Sequence, residues 1–385
     1  MYCLTATFDN SVRHRQPTIA IMSASFIGMR SLIFVLILSF SITVLAQEKP
    51  LTQAEYVKML YGLQKDPASR ADIITALRKR GIDFVVNDGI RGLTRSKAGT
   101  DDELRRALEE AGRRQADPEA AKLPSDAGAN EILEKTRKNT LDAVGDMPDF
   151  VVKQQIQRTW AFAGTGSYKS IDRLVVAVSY RSTGEEDYRL LSMNGILQND
   201  PKAKSSYEDA GGTSSTGEFV TMLSTIFKPE SETKFTLSDT DLIRQRKALV
   251  FDFDTTREKA QETIAYGSGS GTPATTVTGI KGRIWIDRAD SRVLRVESEA
   301  TEIPATFPIT SAKRIIDYDW VTITDGKYLL PTTSDVRLVA RESGKLIETR
   351  NVIRFKDYQK YGTEVIIRDD DEDIKDVPET NKPSN

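Results

Sequence analysis

Apolar residues recur at helical spacing over residues 51–114, with polar and charged residues between them. Asp66-Pro67 is typical of a helix start, because aspartate caps free N–H groups and proline fits the first helical turn. Gly81 is typical of the end of that helix. Residues 100–103, Thr-Asp-Asp-Glu, form a capping box that predicts a further helix. We therefore predict a small helical domain over residues 51–114.

The pattern changes after residues 115–128, a polar segment with two prolines that we interpret as a linker. A helix is predicted over residues 132–144. Beyond Pro148 apolar and polar residues alternate, which is the pattern of strands with one buried face, and turn signals recur between the runs. We predict one β-rich domain over residues 129–368, an antiparallel meander of about nine to eleven strands.

One amphipathic helix is predicted within the strands, over residues 215–227. Ser215 and Glu218 have the spacing of a capping box, and Lys228-Pro229 ends the pattern. Packing against the sheet for stability is one interpretation of its apolar face, and lining the cavity of an apolar ligand is the other. The predicted ligand-binding residues are those on this apolar face: Phe219, Met222, Leu223, Ile226 and Phe227.

Residues 32–45, LIFVLILSFSITVL, follow a basic residue and end just before Ala46. This arrangement is typical of a secretory signal peptide. The apolar run has 14 residues, whereas a membrane-spanning helix needs about 20. We expect cleavage after Ala46, which would remove residues 1–46 with Cys3 and His14, the only thiol and the only imidazole of the chain. An uncleaved anchor in the inner membrane is the alternative.

Composition excludes several classes of function. The chain has 385 residues and a formal net charge of −2, so it lacks the basic excess of a general nucleic-acid binder. Without histidine or cysteine, the mature chain has no Ser-His-Asp triad and no His-ligated zinc site. We predict no cofactor and no metal site. Residues 369–385 are strongly acidic at their start, and we expect a disordered tail there.

Residues 250–256, Val-Phe-Asp-Phe-Asp-Thr-Thr, present two interpretations. They resemble the first motif of haloacid-dehalogenase-like phosphatases, which would make Asp252 a nucleophile and Asp254 an acid and base, with Mg²⁺ between them. That chemistry requires a parallel strand. The other interpretation is an alternating strand with Phe251 and Phe253 inward and the two aspartates outward, and we favour it.

The order of elements over residues 129–368 is a lead helix, a long antiparallel meander and a helix inserted midway. It resembles the LolA/LolB-like superfamily of periplasmic lipoprotein carriers and the MucB/RseB-type sensor domains. The sequences of residues 146–150, 211–219 and 318–331 look like those of a group of uncharacterised secreted bacterial proteins. The resemblance implies an incomplete barrel whose concave side takes acyl chains.

The predicted fold is α+β, with a small N-terminal helical module and an antiparallel half-barrel that wraps one or two helices. We expect an exported, non-enzymatic binding protein, periplasmic or extracellular, that holds a lipid or another apolar ligand on the concave face. The alternative is an envelope interaction or sensing module with a filled core, which binds a protein partner through its helical domain. We expect no nucleic-acid partner, and membrane contact only if the signal segment stays uncleaved.

Overall fold

The computed structural model describes residues 49–99, 102–119, 121–198, 210–219, 221–267 and 273–362. The predicted signal segment, residues 1–46, and the predicted acidic tail, residues 369–385, lie outside the described residues. Among the helices that the structure describes, each is too short or too polar to span a lipid bilayer.

In the described part of the chain, five α-helices precede the first strand: α1 (Gln53–Gly62), α2 (Arg70–Arg80), α3 (Asp88–Ala98), α4 (Asp102–Ala116) and α5 (Asp126–Gly145). Local sequence explains their limits. Thr52 accepts a hydrogen bond from the Glu55 N–H, and the Glu55 side chain accepts one from the Thr52 N–H, which completes a capping box at α1. Gly81 ends α2 at φ 69°, as its position predicts.

Twelve strands and two short α-helices follow among the residues that the structure describes. The strands are β1 (Phe150–Phe162), β2 (Lys169–Tyr180), β3 (Glu186–Met193), β4 (Ile196–Leu197), β5 (Lys234–Ile243), β6 (Arg246–Thr255), β7 (Glu262–Tyr266), β8 (Ala274–Asp287), β9 (Val293–Thr301), β10 (Ile309–Ile323), β11 (Gly326–Glu342) and β12 (Lys345–Lys360). The short helices are α6 (Thr221–Phe227) and α7 (Arg257–Ala260).

The strands form one open antiparallel sheet in the order β4-β3-β2-β1-β12-β11-β10-β9-β8-β6-β5, with β7 paired to β8 off this path. The first strand, β1, lies beside the last strand, β12, and Phe162 pairs with Ile347. Because β4 and β5 lie at opposite ends of the path, the sheet is not closed. The predicted α+β class with a half-barrel sheet is confirmed.

The two faces of the sheet differ in chemistry. On the apolar face, side chains such as Phe251 and Ile284 pack against α5 and α6 and are at most 1% exposed. The opposite, polar face carries charged side chains such as Asp252 and Lys281. This alternation follows from the period of two residues in a strand.

The helices α1–α4 have a hydrophobic core of their own. Leu104, Ala107, Leu108 and Ala111 of α4 are completely buried in it. Among the described residues, no hydrophobic cluster contains both a residue of α1–α4 and a residue of the sheet. The helices α1–α4 and the sheet are therefore stabilised by separate cores.

The predicted start of the amphipathic helix is wrong. Thr221 is the first helical residue, and Ser215 and Glu218 lie in the preceding loop. Their side chains hydrogen-bond to each other instead of capping backbone N–H groups. α4 also continues to Ala116, two residues into the predicted linker. The capping box predicted at residues 100–103 lies partly outside the described residues.

Gly282 of β8 marks a close approach between β8 and β9. A Cβ atom added there would lie 1.9 Å from the Glu297 carbonyl oxygen, so the strands would have to separate. We expect Gly282→Ala to lower the free energy of unfolding by about 1–3 kcal/mol in urea titrations. The matched control is Gly62→Ala at the end of α1, where the added atom meets nothing within 4 Å. Equal effects of both substitutions would contradict the close approach.

Candidate functional site

Two rows of paired residues run across five strands on the polar face. From β6 through β8, β9 and β10 to β11, the first row is Asp254, Lys281, Glu299, Lys313 and Arg337. The second row is Asp252, Arg283, Glu297, Ile315 and Asp335. Neighbouring strands lie about 4.8 Å apart, so opposite charges adjoin from Asp254 to Lys313 in the first row and from Asp252 to Glu297 in the second, and they stabilise the pairing there.

The helices and a hairpin form walls above this floor. Arg70 and Arg78 of α2 and Arg106 of α4 line one side. Arg106 Nε lies 3.0 Å from Glu297 Oε1, which ties the wall to the floor. The β1–β2 hairpin, residues 163–168, forms another wall, and its Tyr168 hydroxyl donates a hydrogen bond to Glu348 of β12.

The floor and the walls enclose a groove of about 900 Å³, which we call the polar groove. This volume falls within the usual range of small-molecule sites, about 300–1,000 Å³. Nine basic and seven acidic residues line it, together with Thr165, Thr236, Ser298 and Ser311. The lining therefore carries a positive excess, whereas the whole chain has a net charge of −2.

Charged side chains join α4 to the sheet beside the groove. Arg113 Nη2 lies 2.6 Å from Asp241 Oδ1, and Trp285 Nε1 donates to Asp241 Oδ2 at 2.9 Å. Two further ion pairs complete what we call the ion-pair seam, which consists of Arg113–Asp241, Arg114–Asp239 and Arg283–Glu110. The Arg283–Glu110 pair spans 3.2 Å, and neither side chain is more than 9% exposed.

Burial and neighbouring cations act against each other on the carboxyls of the seam. Burial raises the pKa of Asp239 to about 6, although Arg114 and Arg283 favour its ionised form. Burial also opposes ionisation of Glu110, but Arg283 and nearby arginines outweigh it and lower the pKa of that carboxyl. Both groups are therefore ionised at neutral pH, and the seam is a set of true ion pairs.

Asp335 is held between two arginines on the groove floor. Arg350 of β12 donates hydrogen bonds to its carboxylate from Nη2, at 2.7 Å, and from Nε, at 3.1 Å, and Arg337 donates two, at 3.1 and 3.3 Å. Burial alone would raise the pKa of Asp335, but Arg337 and Arg350 lower it to about 2. This carboxylate therefore fixes the two guanidinium groups at the groove.

Other charged groups of the groove are available to a ligand. Within the described part of the chain, neither Lys234, Lys281 nor Asp254 has an ion-pair partner. In the register of the sheet, Lys234 of β5 and Lys281 of β8 lie opposite Asp254 of β6, so the three side chains lie together. Charge-assisted hydrogen bonds to such groups are roughly twice as strong as neutral ones. Among the described residues, no three His, Cys, Asp or Glu side chains are placed to hold a metal ion.

The five predicted ligand residues lie on the other side of the sheet. Phe219 packs in an aromatic cluster with Phe150 and Phe355, at ring-centroid distances of 5.3 and 5.4 Å. The other four pack between α5 and the sheet: Met222, Leu223, Ile226 and Phe227. All five are at most 4% exposed, and none lines the polar groove.

A smaller pocket of about 540 Å³ adjoins α6. It contacts this helix through polar side chains, Thr221, Ser224 and Thr225, and not through any of the five predicted residues. Their role in ligand binding stays a prediction.

The phosphatase alternative for Asp252 and Asp254 is wrong. The reaction requires a parallel strand, whereas β6 is antiparallel to both of its neighbours, β5 and β8. Phe251 and Phe253 are 1% and 3% exposed, and Asp252 projects from the opposite face with 57% of its side chain exposed. The interpretation as an alternating strand is confirmed.

Sequence reasoning missed the polar groove. Alternation places Lys281 and Asp335 on the polar sides of their strands, and this signal was present in the sequence. It does not say which strands adjoin, so it cannot bring these residues into one row. The arginines of α2 likewise reach the groove only because the ion-pair seam places the helices over the sheet.

Comparison with known proteins adds two remote likenesses. No protein-family model and no curated protein matches the chain. A DUF1329 family protein from Desulfovibrio piger ATCC 29098 shares 8% identity over 60% of this chain and 95% of that chain, with a TM-score of 0.26. MucB, in a complex with MucA(peri), shares 9% identity over 58% of this chain and 94% of that chain, with a TM-score of 0.16. Scores of this size do not establish a common fold or function.

We call the hydrogen bonds from Arg337 and Arg350 to Asp335 the Asp335 clamp. The clamp predicts that the stability of the protein depends on pH. The pKa of Asp335 lies below the value near 3.9 of an unfolded aspartate, so its contribution is present above about pH 4 and lost as the pH falls toward 2. We expect Asp335→Asn to lower the free energy of unfolding by about 2 kcal/mol at pH 7 and to match the wild type near pH 2. Urea unfolding across this range measures the difference.

The matched control is Asp325→Asn in the exposed β10–β11 turn, where we expect no comparable loss. An Asp335→Asn variant as stable as the wild type at pH 7 would contradict the clamp.

Proposed function

We propose that this chain is an exported, non-enzymatic binding protein of the cell envelope and that the polar groove holds its ligand. The observation that carries the proposal is the groove of about 900 Å³ with Lys234, Lys281 and Asp254 together on its floor. Charged side chains without protein partners are costly to desolvate, and a ligand that pairs with them offsets this cost. Binding is favoured over catalysis because the mature chain lacks imidazole and thiol groups.

The lining indicates the chemistry of the ligand. Basic side chains outnumber acidic ones, so the ligand is net negative. It also carries hydrogen-bond donors, because Asp254 and the groove hydroxyls can accept them. Its apolar surface is small, because few apolar side chains, such as Ile315 and Val339, line the groove. A polar organic anion has these properties.

A second candidate is a module that senses or binds another envelope protein through its helices. The apolar side of the sheet favours it, because α5 and α6 fill that side with buried side chains. The sequence suggested a lipid held beside α6. Such a lipid would require Phe227 and its neighbours to leave this core.

The chain purified from its own cell envelope tests the proposal. Small molecules released on denaturation are identified by mass spectrometry for the wild type, Lys281→Glu and Lys135→Glu. Lys135 lies exposed on α5, away from the groove, so its reversal is the matched control. We expect a polar anion with the wild type and the control, and a loss of roughly tenfold with Lys281→Glu, where a favourable contact becomes a repulsion.

The outcomes separate the candidates. A lipid recovered equally from all three chains would overturn the polar groove as the site and favour the apolar side. Recovery of no small molecule from any chain, with a polypeptide bound instead, would favour the second candidate.

A further inference from the structure

One buried carboxylate on the apolar side of the sheet has a hydrogen bond to only one of its two oxygens. Glu218 is completely buried in the loop before α6. Its Oε1 accepts a hydrogen bond from the Ser215 hydroxyl, but its Oε2 accepts none among the described residues. Buried carboxylate oxygens are nearly always paired, because an unpaired one costs about 1–3 kcal/mol or more. This oxygen therefore requires an explanation.

A second carboxylate lies in the same cluster. Glu186 of β3 accepts hydrogen bonds from the Gly217 N–H, at 3.2 Å, and from the Tyr188 hydroxyl. Burial raises the pKa of Glu186, and the negative charge of Glu218 raises it further. Two like charges in a buried site disfavour double ionisation.

Few positive charges compensate the pair. Arg314 of β10 favours the ionised form of Glu186, but its guanidinium also lies 3.5 Å from Glu262 of β7. Besides Arg314, the titratable groups that act on the two carboxyls from β2, β3, β10 and β12 are tyrosines: Tyr180, Tyr188, Tyr318 and Tyr358. A proton on Glu186 would supply the missing compensation, because a protonated carboxyl is also a hydrogen-bond donor.

The cluster holds the loop that leads into α6. Glu186 binds the loop through the Gly217 N–H, and the Tyr318 hydroxyl donates to the Glu218 carbonyl oxygen at 3.3 Å. Phe219, the next residue, is 1% exposed among aromatic rings. The position of α6 on the sheet therefore depends on these contacts.

We propose that Glu186 takes up a proton beside the Glu218 carboxylate and that this cluster forms a pH-sensitive lock on the loop before α6 and on α6. The lock is tight when Glu186 is protonated and loosens when Glu186 is ionised. A carboxyl whose pKa is raised in the locked state binds its proton more tightly there than in the released state. The lock is therefore stabilised as the pH falls through the raised pKa and weakened as the pH rises. This device goes beyond ligand binding in the polar groove, which lies on the opposite face.

Hydrogen–deuterium exchange of the full chain tests the lock. Exchange of peptides from residues 215–227 is measured at about pH 5 and pH 8 and corrected for the intrinsic rate of exchange. We expect protection of this segment to be roughly tenfold higher at the lower pH. Glu186→Gln removes the titrating carboxyl and keeps the shape, so it should give nearly equal protection at both pH values. Glu218→Gln removes one of the charges that raise the pKa of Glu186, so it should reduce the difference. Glu185→Gln, at the exposed neighbour of Glu186, should keep the wild-type difference.

Two results would overturn the proposal. One is equal corrected protection of the wild-type segment at both pH values. The other is full protection at pH 8 on addition of Na⁺ or Ca²⁺, which would assign a cation rather than a proton to the cluster. If Glu218→Gln does not fold, the wild-type profile and Glu186→Gln decide.

Discussion

The ion-pair seam between α4 and the sheet is the interaction on which the rest of the structure depends. α4 contributes its apolar side to the core of the helices and its charged side to Asp239, Asp241 and Arg283 of the sheet. Removing one member of a buried ion pair leaves the other uncompensated, at a cost of about 3–5 kcal/mol. Because α1–α4 and the strands share no hydrophobic cluster among the described residues, these directional contacts determine where α1–α4 lie on the sheet.

The polar groove is a consequence of this arrangement. An open sheet must bury one face, and α5 and α6 cover that face with apolar side chains. The opposite face is left to charged residues, and the seam places α2 and α4 beside it. Stability and the proposed ligand binding are thereby assigned to different faces. The carboxylates of Glu186 and Glu218 are the exception, because they bring titratable groups to the side that stabilises the fold.

Much of the fold could be predicted from local patterns. The end of α2 at Gly81 and the alternation of Phe251 with Asp252 depend on short-range chemistry, and both predictions agree with the structure. The predicted start of α6 was wrong because the side chains of Ser215 and Glu218 hydrogen-bond to each other. Whether they do so depends on the surrounding core, which local sequence does not reveal. The groove could not be predicted, because a period of two residues assigns a face but not a neighbouring strand. Pairing of β1 with β12, nearly 200 residues apart in the sequence, is likewise invisible to local signals.

A double-mutant cycle on Glu110 and Arg283 tests the central claim most directly. Urea unfolding of Glu110→Gln, Arg283→Met and the double variant gives the coupling free energy across the seam. If the seam holds α4 on the sheet, the coupling is at least about 1.5 kcal/mol, as for other close charge pairs that are shielded from solvent. A coupling within about 0.5 kcal/mol of zero, the range of independent sites, would contradict this role of the seam.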